Sequence, residues 1–415
     1  MFSVFNIVSS QKNTIAVLDG VRAWACLTVI AYHLNRNAML SHIWSPAVGS
    51  FATGIMLTGW SGVTLFFVLS GFLLFMPYVK ALLFDREWPS ARTFYLRRAF
   101  RILPGYYVSL ALLILLEHRE YLQPDHLKDL ALFLTFFMDT TPTTFQKING
   151  PFWTLAIEAQ FYMLLPLLAL GFSWIVRRGT VRRRLVTLGL CLMGMIIWGV
   201  SSRYWGPYLT AHPEAVPVPR PILNVALFFL YGFAGKYLED FAIGMLVSTC
   251  YVLLQKPDVI PGFVAFLRRH NQWLWGLGIF CLFFMAVEGA FPMLAFLRPF
   301  LDAQRPFCEL GFAIGYGLCV AGLLFGPIDF KPLLESIALR WIGLISYSLY
   351  IWHLPILLWF LQYVLPAVQK WNDVIAYVVF WLCVVLLIVP FCYLFYRCIE
   401  QPWINIGSKV TRKAA

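Results

Sequence analysis

Charged side chains are scarce: Asp, Glu, Lys and Arg make up 13% of the 415 residues, about half of the ~25% found in soluble globular chains. Set against 60% hydrophobic residues, this shortage excludes a large water-soluble catalytic domain and leaves room for roughly ten membrane helices of about 20 residues each. Acid is scarcer than base, with 20 Asp and Glu against 32 Lys and Arg and a net charge of +12. In a multi-pass chain such an excess reports which loops stay in the cytoplasm, so nucleic acid is not an expected partner. The nine cysteines lie almost wholly in apolar segments with no CxxC spacing, so neither a disulfide framework nor a metal site is expected. The sequence has no GxxxxGKS/T, no GxGxxG after a strand and no GxSxG. Nucleotide hydrolysis, dinucleotide chemistry and the usual serine hydrolase therefore have no motif. Internal repeats and low-complexity tracts are lacking as well.

What is present is a series of apolar runs at 15–35, 52–79, 102–116, 152–176, 185–201, 222–254, 273–287, 307–326, 341–365 and 373–396, with a weaker one at 127–138. A run of about 12 residues is too short to span. Leaving 127–138 out gives an all-α, multi-pass membrane protein of about ten transmembrane helices with both termini cytoplasmic. Of the 32 Lys and Arg, 21 then face the cytoplasm and nine, Arg203 among them, lie in outer loops. Residues 1–14 read as a short cytoplasmic segment ahead of an uncleaved signal anchor, 15–398 as the transmembrane domain and 399–415 as a cytoplasmic tail. The run at 222–254, which contains Lys236, Glu239 and Asp240, reads as a short outer helix followed by a span. The loop 202–221, rich in Pro, Trp and Tyr, is expected to shape a substrate entrance.

Ionisable groups inside spans are costly and mark function by default. Only His33 and His353 among the seven histidines fall within spans, and Glu158 is the clearest intramembrane acid. Arg22 and His33 are eleven residues apart. At 3.6 residues per turn they share one helix face, roughly 16 Å apart along the axis, as in a polar stripe across the bilayer. The alternative is a structural pair in which Asp19 satisfies Arg22 at i,i+3. Glu158, at a depth compatible with His33, is a candidate to orient it as a general base, or else a helix-end carboxylate. His353 sits among Ser346, Tyr347, Ser348 and Tyr350, which could hold it for purely structural reasons. Arg98 and Arg101, one turn apart before the third span, suit phosphate recognition, though ordinary cytoplasmic charge is the plainer reading.

Six ordered blocks resemble the acyltransferase family 3 membrane proteins almost end to end. They are Leu18-Asp19-Gly20 with Arg22 and His33, Gly62-Val63-Thr64-Leu65-Phe66-Phe67-Val68-Leu69-Ser70-Gly71-Phe72-Leu73, and Arg97-Arg98-Ala99-Phe100-Arg101-Ile102-Leu103-Pro104. Trp153-Thr154-Leu155-Ala156-Ile157-Glu158-Ala159-Gln160-Phe161-Tyr162 with Pro166, Ser346 through Tyr350 with His353-Leu354-Pro355, and Ile399-Glu400-Gln401-Pro402 complete the set. The resemblance implies a ten-helix enzyme that moves an acyl group, commonly acetyl, from cytoplasmic acyl-CoA to a hydroxyl of a carbohydrate or glycosylated acceptor. It implies His33 as the catalytic residue and Arg98 and Arg101 as donor contacts. Glu158 joins His33 in this reading, Arg22 joins the donor site, and His353, Trp153 and Tyr347 support the acceptor or the site. Thr64 and Ala159 depart from the family pattern, which leaves Glu158 as the lone acid of its block. The extra esterase-like domain of some members is absent from the sequence, so the transmembrane unit is expected to take its acceptor unaided. The rival class is a secondary transporter or a flippase for a lipid-linked sugar, whose inverted repeats the sequence does not show.

Overall fold

The computed structural model describes residues 15–44, 51–256, 261–287, 305–368, 370 and 372–413. The expected N-terminal segment 1–14 and the outer-loop residue Arg298 lie outside them. All regular structure among the described residues is helical. The long elements are α1 (Ala16–Leu40), α2 (Gly62–Phe84), α3 (Ala91–Leu116), α4 (Phe152–Val176) and α5 (Val181–Ala211). They continue with α6 (Arg220–Leu230), α7 (Leu238–Leu254), α8 (Asn271–Val287), α9 (Arg305–Phe325), α10 (Ile337–Leu344), α11 (Ser346–Tyr363) and the near-continuous α12 (Asp373–Arg412). Polar caps start several of them. Ser90 Oγ accepts from Thr93 N at 3.3 Å, Thr180 Oγ1 from Arg183 N at 3.4 Å and Asn372 Oδ1 from Val374 N at 2.7 Å, which satisfies amide hydrogens that have no partner in the first turn. Asp85 ends α2 in the left-handed conformation. The Arg184 guanidinium, 2.7 Å from Asp85 Oδ2, holds this exposed carboxyl below its ordinary range.

Among the described residues seven helices are long and apolar enough to cross a bilayer, and α10 with α11, bent by 70° at their junction, makes an eighth. The count of about ten is therefore reached only if the 17-residue helices α7 and α8 also cross. The run at 127–138 forms only the eight-residue helix Leu127–Leu134. The run at 222–254 divides into the 11-residue α6 and α7, as its internal charges suggested. Two expectations shift. Helix α5 continues to Ala211 instead of ending near 201, because Arg203, read as a loop charge, finds two carboxylate partners inside the bundle. Residues 399–412, read as part of a cytoplasmic tail, are helical and form the last turns of α12. Trp403 stacks on Phe100 of α3 with centroids 6.1 Å apart, and Arg97 Nε donates to Thr411 Oγ1 at 3.4 Å.

Without a hydrophobic force between helices in lipid, close approach must come from small residues. Helices α2 and α7 meet this way: a Cβ on Gly71 would lie 2.1 Å from the Phe241 carbonyl oxygen, and one on Gly244 would lie 2.0 Å from that of Val68. Backbone cannot yield as a side chain can. Gly71→Val and Gly244→Val are each expected to cost at least ~1–3 kcal/mol, as overpacking does, read as a lowered thermal midpoint in detergent. Gly194→Val, whose Cβ would meet nothing within 4 Å, should leave the midpoint unchanged.

Candidate active site

Helix α1 carries His33 and α11 carries His353, and the bundle brings them together: His33 Nδ1 and His353 Nε2 are 3.1 Å apart. His33 Nδ1 is also 3.0 Å from the Val29 carbonyl, and His353 Nδ1 is 3.1 Å from that of Leu349. These contacts assign the neutral tautomers, because a carbonyl can only accept. His353 carries its hydrogen on Nδ1, so its Nε2 accepts. His33 must then donate from Nδ1, which leaves its Nε2 with a basic lone pair. His353 is fully buried, whereas His33 lines a cavity of about 1500 Å³. Tyr350 also lines it and bonds Thr154 Oγ1 at 2.7 Å, so the floor beside the histidines is tied to α4. Asn149 Nδ2 donates to the Ile351 carbonyl at 2.8 Å, which pins the cavity-lining stretch 145–151 to α11.

Glu158 does not orient His33. It lies more than a turn along α4 from Trp153, which lines the cavity. Its Oε1 accepts from Ser70 Oγ at 2.6 Å and from the Tyr162 hydroxyl. The contact expected from the sequence does not form, because Ser70 of α2 and Tyr162 of α4 engage the carboxylate instead. Glu158 instead acts on the charge of Arg98, whose guanidinium lies 5.9 Å from the Tyr162 ring centroid.

Arg98 belongs to a second polar region. Arg22 is within charge–charge range of both Arg98 and Arg101, and its Nη1 contacts Asp19 Oδ1 at 3.3 Å. Arg101 also acts on Asp19 and Glu400. A π-helical turn at Tyr396–Glu400 interrupts α12 here, and Ser348 Oγ donates to the buried Glu400 carboxylate. Such turns recur at functional positions. Tyr347 closes the region by donating its hydroxyl to the Ile102 carbonyl at 2.8 Å. Three guanidinium groups thus converge while Glu158 and Glu400 are engaged by hydroxyls, an arrangement suited to an arriving polyanion. The structure therefore gathers the predicted site residues into two groups: His33, His353 and Trp153 at the cavity, and Arg22, Arg98, Arg101, Glu158 and Tyr347 at the arginine end.

Sequence reasoning passed over Arg203, Glu309 and Tyr237, which also line the cavity. Arg203 sat outside an expected span, and Glu309 near the end of one, so neither registered as an intramembrane charge. The signal that could have found them was the pairing of one stray Arg with acids on two other helices. No group of three or more potential metal ligands occurs among the described residues.

The seven long apolar helices among the described residues, packed around buried ionisable groups, define a multi-pass protein of the cell membrane. A family model described as an acyltransferase domain matches residues 15–397, and the chain belongs to that family. The peptidoglycan O-acetyltransferase OatA of Listeria monocytogenes serovar 1/2a is 25% identical over 389 residues, covering 84% of this chain and 50% of the relative. The O-acetyltransferase OatA of Staphylococcus aureus strain NCTC 8325 is 25% identical over 419 residues, covering 94% and 57%. The chain thus spans about half the length of these relatives. No solved structure matches it.

The tautomer assignment is open to direct measurement. Nitrogen-15 solid-state NMR of histidine-labelled protein, assigned with His33→Ala, should show His33 protonated at Nδ1 and unprotonated at Nε2. A His33 protonated at Nε2 contradicts the arrangement.

Proposed function

We propose that the protein is a membrane O-acyltransferase that moves an acetyl group from acyl-CoA to a hydroxyl of a carbohydrate acceptor. The observation that carries this is the hydrogen-bonded His33–His353 pair at the cavity wall, in a chain of the acyltransferase family. His33 is the general base. Its Nε2 takes the proton from the acceptor hydroxyl as that oxygen attacks the thioester carbonyl. The tetrahedral intermediate then collapses with cleavage of the carbon–sulfur bond, and the proton returns to the departing CoA sulfur. His353 fixes the ring and tautomer, the part a carboxylate plays in other base assemblies.

Arg98 and Arg101, with Arg22 beside them, bind the phosphates of the donor. Helix α1 is unbroken between Arg22 and His33, so the ~16 Å expected from eleven residues of helical rise is the depth an extended pantetheine arm would cross. The dense basic stretches around 80–101 and 177–184 support a cytoplasmic position for the arginine end. Ten spans with both termini cytoplasmic follow when α7, α8 and the bent α10–α11 pair each cross once, with 15–398 as the transmembrane domain. The relatives' names point to a cell-wall sugar as the acceptor class.

Release of free CoA from acetyl-CoA, measured with detergent-purified protein, tests the reading. His33→Ala should lower turnover by about 10²–10⁴-fold, the range general base catalysis supplies, in a protein that still folds. Arg98→Gln with Arg101→Gln should act on the apparent KM for acetyl-CoA more than on kcat. Wild-type turnover in His33→Ala contradicts the assignment.

A further inference from the structure

Part of the cavity wall lies outside the donor and base machinery, and it carries a buried ion-pair cluster of its own. Arg203 on α5 is only 6% exposed, yet it lines the cavity. Its Nη1 is 2.5 Å from Glu239 Oε1, its Nη2 pairs with Glu309, and its guanidinium lies 4.0 Å from the Tyr237 ring centroid. Two glycines make room for this. A Cβ on Gly199 would fall 2.3 Å from Glu239 Oε2, and one on Gly235, at φ +96°, would fall 2.3 Å from Arg203 Cγ. Such a guanidinium is fixed in plane and outnumbered by its carboxylates, so it offers directed hydrogen bonds without a net positive charge.

Beyond Arg203, the last turns of α5 set Trp205 and Tyr208 into the same wall, 51% and 46% exposed, with ring centroids 5.8 Å apart. Exposed aromatic faces carry negative quadrupole density, which attracts the polarised C–H groups of a sugar ring. The neighbouring guanidinium and carboxylate match its hydroxyls. The cavity's 1500 Å³ exceeds the ~300–1,000 Å³ that encloses a drug-sized molecule, so more than one ring fits.

We propose that Arg203, Glu309, Tyr237, Trp205 and Tyr208 form a subsite for an uncharged oligosaccharide, which holds the acceptor chain while one hydroxyl meets His33. This rests on the acyltransfer reading for its purpose but is tested by binding alone. A carboxylate-bearing chain meets Glu309 beside an already neutralised Arg203 and is disfavoured; an amine-bearing chain must desolvate its ammonium groups against carboxylates that already share Arg203.

The experiment uses the full chain in detergent without donor, with chitotetraose, cellotetraose and maltotetraose as neutral probes, and tetragalacturonate and tetraglucosamine as charged ones of equal length. Isothermal titration should show at least one neutral probe bound tenfold or more tighter than either charged probe. Trp205→Ala with Tyr208→Ala should weaken it at least tenfold, and so should Arg203→Lys, which keeps the charge and loses the fork. Should Arg203→Lys fail to fold, the exposed aromatic pair carries the test. Trp174→Ala, 72% exposed on α4 and outside the cavity lining, should keep wild-type affinity. Charged probes binding as tightly, no neutral probe binding, or unchanged affinity in the aromatic variant overturns the subsite. CoA release without saccharide binding removes the subsite and leaves the acyltransfer reading. Saccharide binding without CoA release from any acyl-CoA does the reverse.

Discussion

His33 and His353, 320 positions apart in the chain, share one hydrogen bond inside the membrane, and much of the architecture serves to make that bond possible. Two imidazoles in a low-dielectric interior are expensive unless each nitrogen has a defined role. Here the carbonyls of Leu349 and Val29, each one helical turn back, define three of the four. The fourth, Nε2, belongs to His33, which lines the cavity. Helix α11 can present His353 at this depth because it turns by 70° away from α10 at Ile345, and because Tyr350 and Asn149 tie it to α4 and to the stretch before it.

The same constraint, that every buried charge must be matched, divides the interior into two regions with different chemistry. At the arginine end, hydroxyls from Ser70, Tyr162 and Ser348 engage Glu158 and Glu400, so three guanidinium groups are not fully consumed by their carboxylates. At the cavity, Arg203 is neutralised by two acids, and outside the cavity lining Lys236 is held 2.5 Å from Oδ2 of Asp139, a residue to which Gln160 also donates from α4. In the proposed reading, one end takes an anion and the other an uncharged polar chain. Removing one partner of such buried pairs costs more than the pair itself contributes.

Much of this was legible in the sequence. The apolar runs located nearly every long helix, and the scarcity of intramembrane charge singled out His33, His353, Arg22 and Glu158. The six motif blocks named the family that residues 15–397 match. The choice of partner was not legible. Eleven residues along α1 fix depth and face, but whether Glu158 or His353 meets His33 depends on how α4 and α11 rotate about their axes, and no local pattern encodes that. Arg203 escaped notice for a related reason: hydropathy ends a span at a charge, whereas the folded bundle continued α5 through it by supplying acids from α7 and α9. The packed end of α12 was hidden by its polar composition, since its contact with α3 rests on Trp403 and Thr411 and not on a continuous apolar run.

The central claim is that the donor reaches His33 from the arginine end while the acceptor comes from the cavity. A cryo-electron microscopy structure with an acetyl-CoA analogue whose thioester sulfur is replaced by a methylene tests it directly. The account predicts the analogue's phosphates on Arg98 and Arg101 and its carbonyl at the His33 end of the arm, leaving space on the cavity side for an attacking oxygen at hydrogen-bond reach of Nε2, ~2.6–3.2 Å. Phosphates lodged in the cavity beside Arg36 or Arg203, or a carbonyl remote from His33, would contradict it.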